Sequence, residues 1–98
     1  MRYHVLISYD ICNPKRLQKV HRIVSSYGQP LQYSVYISQL SEKDFASLRE
    51  KLNDTINHRQ DKIVMIRLSP VVDGVQFERK WTVLGRKLEI NNKNDFIC

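Results

Sequence analysis

A row of cations and one isolated carboxylate near the N-terminus are the residues of this chain best suited to chemistry. Lys15, Lys19 and Arg22 follow one another at i, i+4 and i+7, with Arg16 alongside, a spacing that sets the three on one face of a helix. No acidic residue falls between Asp10 and Glu42, whereas an ordinary solvated helix face usually mixes its signs. Such a ridge suits a polyanion, because neutralising phosphates with Lys and Arg releases counterions and gives affinity that does not depend on sequence. Asp10 is the only carboxylate in the first forty-one residues. Just before a helix start it can satisfy N–H groups and complement the helix dipole. It can equally offer one oxygen to Mg²⁺, which usually takes one or two protein carboxylates and keeps several waters. One chain cannot assemble a two-metal phosphodiesterase site from this region, but a two-fold dimer could bring Asp10 and its symmetry mate together.

Composition narrows the partners. Sixteen Lys and Arg against ten Asp and Glu leave a formal charge of +6, distributed as +4 over residues 1–30, 0 over 31–60 and +2 over 61–98. A basic balance of this kind favours nucleic acid or another polyanion. At 98 residues the chain suffices for one domain and gains from a partner subunit, since small domains bury a limited share of their surface. Cys12 and Cys98 belong to no C-x-x-C pair, and His4, His21 and His58 are scattered, so neither a disulfide framework nor a zinc site is indicated. No apolar stretch approaches the ~20 residues that span a bilayer, and the N-terminus lacks the order of a signal peptide. The expected location is the cytoplasm.

The elements that must position these residues follow from periodicity. Residues 3–10 place Tyr3, Val5, Ile7 and Tyr9 on one face and His4, Leu6, Ser8 and Asp10 on the other, a strand with at least one buried face. Asn13-Pro14 reads as an N-cap followed by proline in the first turn. Leu17, Val20, Ile23, Val24 and Tyr27 then recur at helical spacing up to Gly28, which predicts a helix over about 14–27 ended by a left-handed glycine. Leu31, Tyr33, Val35 and Ile37 alternate with Gln32, Ser34, Tyr36 and Ser38, either one bent strand or two short ones, because no Asn-Gly or Asp-Gly marks a turn. Ser41 to Asp44 resembles a capping box, with Leu40 and Phe45 as its hydrophobic staple. It opens a helix whose stripe is Phe45, Leu48, Leu52 and Ile56 and whose mixed charges read as solvated surface. Residues 62–68 are a nearly continuous apolar run and fit another strand. Asp73-Gly74 predicts a hairpin turn and residues 81–84 one more short strand. The order points to an α+β two-layer sandwich with helices on one face of an antiparallel sheet.

These features, taken as a spaced string, resemble a known family, the smaller of the two CRISPR-associated adaptation proteins, Cas protein number two. The resemblance runs from the apolar strand ending in Tyr9-Asp10-Ile11 through Lys15-Arg16, Lys19-Val20, Tyr27-Gly28, Gln32 and Ser34-Val35-Tyr36 to Leu40. It implies a ferredoxin-like βαββαβ fold over residues 1–84 and a C-terminal extension over 85–98, whose strand often crosses to the partner subunit. It further implies a homodimer that bridges Cas integrase dimers and supports a short duplex, the prospacer, during spacer acquisition. Some relatives are described as divalent-metal nucleases on RNA or DNA. For that chemistry the candidates here are Asp10 as ligand to a shared Mg²⁺, Arg16 as phosphate clamp and Ser34 to orient water or phosphate. Lys15, Arg16, Lys19 and Arg22 would bind nucleic acid, joined by Arg79, Lys80, Arg86 and Lys87 unless those hold the integrase. Cys12-Asn13-Pro14 replaces a commonly Ser- and Asp-rich turn, Leu17 interrupts a stretch often richer in arginine, and Tyr36 stands where phenylalanine is common. The first two departures weigh against hydrolysis more than against binding. An RNA-recognition module on the same sandwich ranks last, because its aromatic, glycine-containing strand motif is absent.

Overall fold

Six elements follow one another in the computed structural model, which describes residues 1–72 together with 82, 84 and 85. They are β1 (Arg2–Asp10), α1 (Pro14–Ser25), β2 (Gly28–Gln32), β3 (Val35–Ser41), α2 (Glu42–Thr55) and β4 (Lys62–Pro70). The strands form one antiparallel sheet in the order β2-β3-β1-β4, the ferredoxin-like arrangement. The hairpin expected at 73–74, the strand expected over 81–84 and the extension over 85–98 fall largely outside the described residues. So do Arg79, Lys80, Arg86 and Lys87.

Alternation in β1 decides what the sheet buries. Val5, Ile7 and Tyr9 point under both helices and are at most 4% exposed. There they meet Tyr36 and Leu40 of β3, Leu17, Val20 and Val24 of α1, and Leu48 and Leu52 of α2 in one cluster. Truncating a side chain as covered as Leu48 to alanine costs about 2–5 kcal/mol, so this layer fixes how both helices sit on the sheet. The helix-facing side of β3 carries polar atoms as well: Tyr36 lies opposite Ile7, Ser38 opposite Val5, and the Ser38 hydroxyl donates to the Val5 carbonyl at 3.2 Å. Ile37, on the other side, is also buried.

Both helices start where their caps predict. Asn13 Oδ1 accepts the Arg16 N–H at 3.0 Å with Pro14 in the first turn, and Ser41 Oγ accepts the Asp44 N–H at 3.1 Å. The end of α1 differs from expectation. The helix stops at Ser25 with Ser26 as its cap, and Gly28 is not left-handed but opens β2 opposite Ser38. It must be glycine for a different reason: a Cβ there would lie 2.5 Å from the Ile37 carbonyl oxygen. Residues 28–41 resolve into two strands joined at Tyr33-Ser34, with Ser34 taking φ 63° in place of the glycine or asparagine that usually marks such a turn. Pro30 is tolerated because β2 is an edge strand.

Candidate nucleic-acid interface and carboxylate site

Burial of Leu17, Val20 and Val24 sets the rotation of α1 about its axis, and the opposite side carries Lys15, Lys19 and Arg22, all exposed. At ~1.5 Å rise per residue the three charges span about 10 Å of helix. The first turn holds no acid, so Lys15 sits uncompensated on its own element at the positive end of the helix dipole. That arrangement disfavours the isolated helix by about 0.3–1 kcal/mol and is relieved by an external anion.

Arg16 leaves this row. Its Nε donates to Asp61 Oδ2 at 2.7 Å, and its Nη2 donates to Asp61 Oδ1 at 3.2 Å and to Gln60 Oε1 at 3.0 Å. The Asp61 side chain is fully covered while that of Arg16 is 22% exposed. Asp61 also accepts the backbone N–H of Cys12 at 3.3 Å and of Asn57 at 2.8 Å. Hydrogen bonding from Arg16, aided by those two amides, outweighs burial and holds the Asp61 carboxyl at about 2. Nothing in the sequence singles out Asp61. It lies 45 residues from Arg16, in a polar stretch after α2 that looks like any solvated loop.

Asp10 ends β1. Since Tyr9 points under the helices, alternation turns Asp10 to the other face, where it is exposed opposite Lys62. Ser34 lies at the same end of the sheet, its carbonyl accepting the Tyr9 N–H at 3.0 Å. Asp10, Ser34 and the start of α1 therefore gather at one end of the molecule. Among the described residues no three His, Cys, Asp or Glu side chains cluster as metal ligands. At this end Asp10 would offer Mg²⁺ one carboxylate oxygen donor from each protomer, a set that a second copy, water or phosphate could complete.

Beneath that end lies a polar trio that periodicity did not reveal. His21 Nδ1 is 3.2 Å from both the Tyr9 and the Tyr36 hydroxyls, and the two phenol rings stack at 6.3 Å. Burial pushes both phenols up and His21 down, which keeps all three neutral near pH 7. Tyr9 and Tyr36 are thus core residues. The charges of α2 are also not all plain surface. Glu42 receives two bonds from Arg67 at 2.6 and 3.2 Å, and Arg67 lies over the Tyr3 and Phe45 rings. Lys51 donates to the Tyr27 hydroxyl at 2.9 Å. No helix among the described residues is long and apolar enough to cross a membrane.

Known proteins are similar to this chain in sequence and in fold. A protein named CRISPR-associated endoribonuclease Cas2 3, from Chloroflexus aurantiacus, is 35% identical over 71 residues, 72% of this chain and 76% of that one. The CRISPR-associated endoribonuclease Cas2 of Thermus thermophilus is 26% identical over 94 residues, 96% of each chain. The crystal structure of Streptococcus pyogenes Cas2 at pH 6.5 superposes with a TM-score of 0.67 at 26% identity, covering 84% of this chain and 99% of that one. The family model described as CRISPR associated protein Cas2 matches residues 1–73, the stretch that contains every described element, and the chain belongs to that family.

Proposed function

We propose that this chain is a CRISPR adaptation subunit, a cytoplasmic homodimer that binds duplex prospacer DNA and positions it for the Cas integrase during spacer acquisition. The observation that carries this reading is helix α1, whose solvent face presents Lys15, Lys19 and Arg22 with no acid on the element. Two copies double that charge, and dimerisation through the sheet face away from the helices is supported by its β4 side, where Val64, Ile66 and Leu68 are 39, 46 and 39% exposed. Apolar side chains exposed in a row suit burial against a second copy. Reversing Lys15, Lys19 and Arg22 together to glutamate should abolish spacer acquisition and leave the fold intact. Normal acquisition by that folded triple variant overturns the reading.

A second reading has its own support, since the relatives named above are called endoribonucleases and Asp10 stands exposed at a strand end. On this reading the chain is a metal-dependent endonuclease on RNA or DNA, with Mg²⁺ shared by paired Asp10 carboxylates and the Ser34 hydroxyl orienting water or phosphate. Purified protein given Mg²⁺ or Mn²⁺ should then cleave, and Asp10→Asn should lose cleavage while remaining dimeric. Equal cleavage by both proteins would mean a contaminating nuclease.

A further inference from the structure

A carboxylate with no exposed surface, ringed by four donors from three parts of the chain, is unusual beside a helix expected to bind phosphate. Asp61 accepts from the Arg16 side chain on α1, from the Cys12 amide in the link after β1 and from the Asn57 amide at the end of α2. We propose that Asp61 is a positioning residue that withholds Arg16 from phosphate, so that α1 meets duplex DNA with Lys15, Lys19 and Arg22 alone. This rests on the reading of α1 given above.

Three observations carry it. The Arg16–Asp61 pair is locally neutral, so the guanidinium has no net charge to exchange for counterions on DNA. Its Nε and Nη2 are both engaged with Asp61, and departure of Arg16 would give up two charge-assisted hydrogen bonds. The same carboxylate also lies close to Asp10. It holds Cys12, two residues after Asp10, and it immediately precedes Lys62, which lies opposite Asp10 in the sheet. Arg16 therefore acts as part of a clasp between two loops, and Lys15, Lys19 and Arg22 are left as the solvent-facing charges of α1.

The test is the salt dependence of binding to a short DNA duplex, read as the slope of log K against log salt. Lys19→Gln should reduce the slope by about one per protomer, the value of one phosphate contact, whereas Arg16→Gln should keep the wild-type slope. Asp61→Asn should steepen it by about one per protomer as Arg16 is released, and adding Arg16→Gln to Asp61→Asn should restore the wild-type value. Should the variants fail to fold, the unsubstituted protein still decides: the Arg16 Nε–Hε resonance should keep its shift and slow exchange when duplex is added. A slope lost in Arg16→Gln as in Lys19→Gln, or a duplex-induced shift of that resonance, overturns the role of Asp61 and leaves the helix face standing. Absence of any salt-dependent duplex binding by the wild type removes both.

Discussion

Asp61 and His21 make the protein sensitive to acid in two separate windows. Arg16 holds the Asp61 carboxyl at about 2, below the ~3.9 of an unfolded aspartate. A depressed carboxylate stabilises fully above its unfolded value, so the contribution is present above pH ~4 and is lost as pH falls through about 2. The gap in melting temperature between wild type and Asp61→Asn should narrow across that interval, and a gap constant from pH 7 to 2 would contradict the assignment. His21 works higher. Burial lowers its pKa in the fold, so the unfolded chain takes up protons first and stability declines as pH drops below ~6.5. His21→Phe should flatten the stability profile between pH 7 and 5, as followed by denaturant unfolding. The cations of α1 were legible because helical spacing alone decides which side chains share a face. Asp61 and His21 were not, since their roles depend on partners 45 and 12–15 residues away that only the tertiary fold brings near.

At the scale of elements, capping chemistry and apolar spacing were sufficient to start both helices, because Asn13 and Ser41 satisfy N–H groups within three residues of themselves. Ends and turns were less readable. Gly28 has the identity of a helix terminator, yet it is required by close packing of β2 on Ile37. Ser34 holds a left-handed turn position that its residue type does not announce. Gly28→Ala should therefore destabilise by about 1–3 kcal/mol through overpacking, measured by chemical unfolding. Ser34→Gly should change stability by less than about 1 kcal/mol, since glycine takes positive φ without strain but loses the Ser34 hydroxyl that bonds the Tyr9 phenol.

For the whole molecule, the element order was enough to derive a two-layer α+β sandwich, because an antiparallel sheet with one apolar face must be covered by its amphipathic helices. Function required the residue string as well, since this architecture serves many activities. The proposed dimer makes a prediction at this scale. Ile66→Lys places a charge in the exposed row of β4, so it should yield a monomer by sedimentation equilibrium and roughly halve the salt slope of duplex binding. A stable dimer would exclude that face as the seam. The most direct measurement is spacer integration reconstituted with the Cas integrase, using wild type, Asp10→Asn and the triple Lys15→Glu, Lys19→Glu, Arg22→Glu variant, each confirmed as folded. The scaffold account predicts wild-type integration with Asp10→Asn and none with the triple variant. Integration lost with Asp10→Asn, or retained with the triple variant, would contradict it.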